Sequence, residues 1–196
     1  MECEQFLEYS LEILNEYNLI ITPEIRQYWE AVGTRIREIR KTNCKTLKEM
    51  AIGANLLENA ICQFEKGICS TSINYALYLR NEYGASFDWI YDGEMIDRRY
   101  EDIIQKKQLN PKEIGSRIKE VRKAKGMTQV EFGNLIGLTS VGVGHIETRL
   151  STPRIETSLK IKKTTKKHLD WIYFGDEVII PKSVIRAQKA KSAKSK

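Results

Sequence analysis

Gly115-Ser116-Arg117-Ile118-Lys119-Glu120 echoes Gly33-Thr34-Arg35-Ile36-Arg37-Glu38, which lies 82 residues earlier in the chain. The same offset carries Arg40-Lys41 onto Arg122-Lys123, Thr46 onto Thr128, Glu65 onto Glu147 and Ile73 onto Ile155. It also carries Asp88-Trp89-Ile90-Tyr91 onto Asp170-Trp171-Ile172-Tyr173 and Gly93 onto Gly175. No gap is needed over about sixty positions, a register that chance matches do not keep. The chain reads as a domain and its duplicate.

Each copy reads as a series of short helices. In the second, Asn110 caps a helix with Pro111 in its first turn and Glu113 at capping-box spacing. Ile114, Ile118 and Val121 form its apolar stripe at i, i+4 and i+7. Gly126 ends that helix, and Thr128 caps the next, which runs through Phe132, Leu135 and Ile136. Gly137 supplies a turn, and Thr139 caps a third helix whose Val143 and Ile146 face inward. Thr152-Pro153 opens a fourth through Ile155, Leu159 and Ile161, and Leu169 to Tyr173 form a short fifth closed by Gly175. The first copy follows this plan from Thr22-Pro23 to Gly93, with a leading stripe of Ile25, Trp29, Val32, Ile36 and Ile39. Strand signals are nearly absent, so the expected class is all-α. The boundaries read as an acidic amphipathic helix (1–21), a first five-helix domain (22–94), a linker (95–110), a second five-helix domain (111–177) and a basic tail (178–196).

Charge is distributed unevenly along this plan. Residues 1–30 carry −6, residues 31–94 balance, residues 113–177 carry +4 and the tail from Val178 carries +6, so a polyanionic partner fits the second half better than the first. Cys3, Cys44, Cys62 and Cys69 form no CxxC pair and lie near neither histidine, so no metal site is expected and the thiols read as reduced. The start Met1-Glu2-Cys3-Glu4 has the wrong charge for a secretory leader, and no apolar run approaches the roughly 20 residues that span a bilayer. Neither a phosphate-binding glycine loop nor a nucleophile–base pair is legible, so no enzyme, cofactor or small-molecule ligand is expected.

Together Arg-Ile-Lys-Glu-Val-Arg-Lys (117–123), Gly-Met-Thr-Gln (126–129), Gly-Leu-Thr-Ser (137–140), His145-Ile146-Glu147 and Leu169-Asp170-Trp171 resemble the Cro/C1-type (XRE) helix-turn-helix family of phage repressors. The resemblance covers most of 112–176 and, more weakly, 31–94. It implies two lambda-repressor-like domains with double-stranded DNA as partner. Such proteins usually bind pseudo-palindromic sites as homodimers, so two units in one chain either mimic that dimer or form a larger homodimer, the second favoured by the divergence of the reading positions. The second helix would aim its N-terminus, with Thr128 and Gln129, at a phosphate. The third would lie in the major groove and present Thr139, Ser140, Val141, Gly142, Gly144 and His145. His145 could bond a base edge or a phosphate, or be a solvated imidazole. Gly142 and Gly144 could admit the DNA backbone or be plain imperfections in the helix. Arg122 with Glu147, and Arg40 with Glu65, are implied as structural ion pairs rather than DNA contacts. Trp89 and Trp171 are implied as core anchors of the fifth helices.

The copies differ where DNA would be read. The first has Thr46-Leu47 in place of Thr128-Gln129, and Asn55 in place of the turn glycine. Its reading positions are Glu58, Asn59 and Gln63, with Lys66 at the helix end. Asn59 and Gln63 suit adenine edges, whereas a carboxylate at Glu58 is more often repelled by phosphates. In the second copy, Lys160 to Lys167 hold four lysines beyond Lys160 where the first copy has the more core-like Tyr78, Leu79 and Tyr83, which suggests looser packing and added phosphate contacts. The expectation is a cytoplasmic, nucleoid-associated transcriptional regulator reading duplex DNA chiefly through its second copy. The competing expectation is a protein-interaction adaptor or antitoxin-like partner protein with a degenerate helix-turn-helix.

Overall fold

Capping chemistry sets most of the helix starts in a computed structural model, which describes residues 22–148, 151–177 and 179. The proposed acidic helix at 4–17 and the tail from Pro181 lie outside the described residues. Helix α1 (Pro23–Thr42) follows Thr22, whose hydroxyl accepts from the Ile25 N–H, and the proline sits in the first turn, where its missing N–H costs nothing. Of the stripe read from sequence, Trp29, Val32, Ile36 and Ile39 are buried, while Ile25 is 43% exposed. Helix α2 (Leu47–Ala54) starts from a capping box: Thr46 accepts from the Glu49 N–H, and the Glu49 carboxylate accepts from the Thr46 N–H at 2.7 Å. Asn55 closes it in the left-handed region at φ 53°. Helix α3 (Glu58–Glu65) follows Leu57, which has no side chain able to cap it.

Helices α4 (Ile73–Tyr83), α5 (Phe87–Asp92) and α6 (Tyr100–Ile104) follow, the last lying within the stretch read as a linker. Helix α7 (Pro111–Ala124) starts at Asn110, whose side chain accepts from the Lys112 and Glu113 N–H groups. Helix α8 (Gln129–Ile136) has the same capping box as α2, built from Thr128 and Glu131, and closes at Gly137 with φ 74°. Helix α9 (Ser140–Glu147) is capped by Thr139, whose hydroxyl accepts from the Gly142 N–H. Helix α10 (Ile155–Thr165) begins after Arg154, two residues later than Thr152-Pro153 suggested, and α11 (Leu169–Phe174) ends at Gly175. Among the described residues there are helices and connections and no strand, so the protein is all-α.

Contacts group the chain into two compact units, residues up to Thr71 and residues from Ser72 onward. A boundary of sequence similarity and a boundary of packing need not coincide. Helices α4 and α5 align with α10 and α11 in sequence, yet they group with the second unit by contact. In the first unit α3 packs on α1 and α2; in the second α9 packs on α7 and α8, and α10 and α11 complete the core.

Two glycines permit these close crossings. A Cβ on Gly33 would collide with the Phe64 and Glu65 carbonyls of α3, and one on Gly115 with the Ile146 carbonyl of α9. Their recurrence at an interval of 82 therefore has a packing cause: in each case α1 or α7 touches the backbone of the helix that would read DNA.

The fifth helices also differ from expectation in which aromatics they bury. Trp89 and Trp171 are only half-buried. A six-residue helix has one inward side, and Phe87, Ile90 and Tyr91 take it in α5, with Leu169, Ile172 and Tyr173 in α11. Trp171 instead lies under the Lys167 ammonium, 4.5 Å from the ring centroid.

Candidate nucleic-acid interface

The α8–turn–α9 segment buries one side and leaves Val130 (57% exposed), Leu135 (54%) and Val141 on the other, so Leu135 does not join the inward stripe read from the sequence. Phe132, Gly133, Ile136, Val143 and Ile146 are buried, while Thr139 and His145 are exposed and Val141 is 64% exposed. Ser140, Gly142 and Gly144 lie between these extremes. The turn is tight because Gly137 adopts a left-handed backbone and because a Cβ on Gly133 would strike the Leu138 carbonyl. Lys160 places its ammonium beside that turn, within 2.8 Å of where a Gly137 Cβ would stand.

Glu147 anchors the inner end of α9. It takes two bonds from Arg122, Nε to Oε1 at 2.6 Å and Nη2 to Oε2 at 3.0 Å, and Arg122 also donates to the Met127 carbonyl. Burial works to raise the Glu147 pKa, but the bonds from Arg122 and Gln129 hold the carboxyl below its ordinary range. The Gln129 amide donates to Glu147 Oε2 at 2.9 Å, so the side chain read as a DNA contact is also tied to the ion pair. Its carbonyl oxygen and second N–H keep hydrogen-bonding capacity.

The first two amides of α8, on Gln129 and Val130, have no partner within the helix. The Thr128 N–H is taken by Glu131, whose carboxyl is lowered by that bond. Gly142 and Gly144 lack the steric cause found at Gly33 and Gly115. A Cβ at Gly142 would meet Leu138 and Thr139 at 3.6 Å, and one at Gly144 would meet only Gln129 at 4.0 Å, both ordinary contacts. Among the described residues nothing demands glycine there, although each costs about 1 kcal/mol relative to alanine in a helix.

The corresponding segment of the first unit shares the frame and differs in its surface. Glu65 is held by Arg40, Nε to Oε1 at 2.5 Å and Nη2 to Oε2 at 2.8 Å, and Arg40 donates to the Lys45 carbonyl as Arg122 does to Met127. Arg37 adds a third contact to the same carboxylate at 3.3 Å. Thr46 is occupied by its capping box, Glu58, Asn59 and Lys66 are exposed, and Gln63 lies near Cys69 at 3.8 Å. The apolar surface here was missed in the sequence: Ile52 is 71% exposed and Leu57 78%, with Leu56 also exposed.

The lysine run of α10 does not act as one surface. Lys162 turns inward to Asp88, Asp92 and Glu94 at 2.6, 2.7 and 2.5 Å. Asp88, Glu94 and His168 bring possible ligand atoms within 4.8 Å of one another, but the ammonium of Lys162 already supplies the cation between the two carboxylates.

The fold and this face have the arrangement of a helix-turn-helix segment over residues 128–148. Residues 118–172, from the middle of α7 into α11, match the family model described as Helix-turn-helix, a family of DNA-binding regulators. That match supports the Cro/C1-type (XRE) resemblance over the second segment. Comparisons of the chain with curated proteins and with solved structures give no match. No described helix is long and apolar enough to cross a membrane.

Proposed function

We propose that the protein is a sequence-specific regulator that binds double-stranded DNA, laying α9 in the major groove as the principal reading helix. What supports this reading is the outer side of α9. Thr139, Val141 and His145 face solvent around two glycines that the fold does not require, beside the free N-terminal amides of α8. Ser140 can donate or accept at a base edge, Val141 can pack on a thymine methyl, and the α8 amides favour a phosphate. Lys160 beside the turn adds a cation where a backbone phosphate would pass.

A second reading is favoured for the first unit by its own surface. Leu57 exposes an apolar group where α9 has the polar cap Thr139, and with Ile52 and Leu56 it forms an apolar surface suited to protein contact. In this reading the first copy serves as an adaptor while the second reads DNA.

Selection of bound duplexes from a random pool with the full chain, followed by titration at 50 and 200 mM salt, tests the proposal. A defined sequence should emerge, with affinity falling roughly tenfold or more over that salt range as counterions are released. Recovery of no preferred sequence, with weak binding indifferent to salt, would leave only the adaptor reading.

A further inference from the structure

Helices α5 and α11 meet with their N-termini exchanged. The Asp88 N–H donates to Asp170 Oδ2 at 3.2 Å, and the Asp170 N–H donates to Asp88 Oδ2 at 2.9 Å. Each carboxyl oxygen therefore accepts at the other helix's N-terminus, where backbone N–H groups have no partner within the helix. The two residues are 82 positions apart, the interval that relates the halves of the sequence.

The reciprocity extends beyond this pair. Lys162 of α10 reaches Asp88 at 2.6 Å and Glu94 at 2.5 Å. Its counterpart one interval earlier is Arg80 of α4, which reaches Asp170 at 3.5 Å and forms an ion pair with Asp176. Asp170 and Asp176 are themselves the counterparts of Asp88 and Glu94. Three pairs thus obey one rule: where residue i of one copy touches residue j of the other, the counterpart of j touches the counterpart of i. That rule is the signature of an isologous, two-fold interface. All of these residues lie in the unit from Ser72 onward.

The interface is closed. Arg80, Asp88, Asp170 and Asp176 are at most 1% exposed, as are Phe87 and Tyr173, whose rings meet edge to face at 5.2 Å. Buried ion pairs add little stability over apolar substitutes, but they penalise strongly any partner that fails to supply the opposite charge. The pairing is therefore specific, with its central groups closed off from solvent.

We propose that α4 and α5 pair with α10 and α11 as a two-fold dimer seam closed within one chain, so that a single chain is the DNA-binding unit and its target is a duplex without two-fold symmetry. The pairing takes the place of the homodimer expected from the sequence. Asymmetry of the target rests on the DNA-reading function proposed above, because the copies carry unlike residues at corresponding positions: Thr139, Ser140 and Val141 in one, Leu57, Glu58 and Asn59 in the other.

The test uses the full chain. Sedimentation of the free protein from about 1 to 50 µM should show one species of 22.7 kDa. With the duplex recovered by selection it should show one chain per duplex, on a sequence lacking a palindrome. Thermal unfolding of Asp88→Asn, Lys162→Met and the double variant should show coupling, the double falling by less than the sum of the singles. A free two-chain species, a palindromic site holding two chains, or additive losses of Tm each overturn the proposal. Failure to select any duplex contradicts DNA reading and the asymmetric target with it, whereas the pairing within the chain stands or falls on the mass and the coupling.

Discussion

The segments 46–66 and 128–148 are built on one frame and carry different surfaces. Both begin with a threonine–glutamate capping box, both turn through a left-handed residue, and both end in a glutamate clamped by an arginine from the preceding long helix. They part at the start of the third helix, where Thr139 caps α9 and Leu57 leaves α3 uncapped and exposes an apolar side chain. The frame can thus be retained while the surface changes, because the frame's energetics lie in buried groups and the proposed reading positions are exposed or partly exposed. Shared architecture alone therefore does not license a shared function for the two faces.

Breaking the frame should have the largest effect and act alike on both segments. Glu147→Ala and Glu65→Ala each leave a mostly buried arginine without its carboxylate, a loss of about 3–5 kcal/mol by analogy with other buried pairs. Denaturant unfolding followed by circular dichroism should show comparable losses for the two. A large loss at Glu147 with none at Glu65 would show that the frames are not equivalent.

Stability against pH should distinguish the unit from Ser72 onward. Burial pushes Asp170 up to about 7, despite the nearby Arg98 and Arg80. Between the ordinary aspartate value and pH 7 the folded state then holds a proton that the unfolded chain has released, so stability should fall as pH rises through that window and level off above it. Asp88 acts in the opposite sense: burial opposes ionisation, but Lys162 and the amides of Asp170 and Leu169 hold its carboxyl down. Its contribution is lost only at lower pH, as it becomes protonated. Melting temperatures measured from pH 4 to 8 should show the decline in the parent chain and a flatter profile in Asp170→Asn.

Capping sharpens the comparison at a smaller scale. Leu57→Thr gives α3 the hydroxyl that α9 has in Thr139 and should stabilise the first unit by about 1 kcal/mol, whereas Thr139→Ala should cost a similar amount. The glycines give the smallest effect on folding. Gly142→Ala and Gly144→Ala should each stabilise by roughly 0.4–1 kcal/mol, since the new methyl meets no obstacle. DNA affinity measured on the same variants should fall if the glycines admit the duplex backbone, and should hold if they are only imperfections of the helix.

Local chemistry was legible in the sequence, and long-range chemistry was not. The caps at Asn110, Thr128 and Thr139, the turn at Gly137 and most of the α1 and α7 stripes fall where spacings of three and four place them, whereas full capping boxes form at Thr46 with Glu49 and Thr128 with Glu131 rather than at Asn110 with Glu113. The helix α10 start shifted because Pro153 is buried ahead of the helix instead of opening it. Lys162 looked like one more solvated lysine because periodicity cannot show that three carboxylates converge on it. Applying the 82-residue offset to charged positions (Arg80 with Lys162, Glu94 with Asp176) would have exposed that network. The apolar face of the first unit was missed because Ile52, Leu56 and Leu57 resemble core residues in any linear reading. The two tryptophans misled through their size, since the short fifth helices bury smaller side chains on their single inward face.

Adding one carboxylate to each face tests most directly which of them meets DNA. Val141 and Leu57 are both well exposed, so Val141→Glu and Leu57→Glu should leave folding intact. Equilibrium titration with the selected duplex should show roughly a hundredfold loss or more for Val141→Glu, as a charge is forced against the groove and its phosphates, and a change within about threefold for Leu57→Glu. Unchanged affinity in Val141→Glu, or a larger loss in Leu57→Glu, would contradict the assignment of α9 as the reading helix.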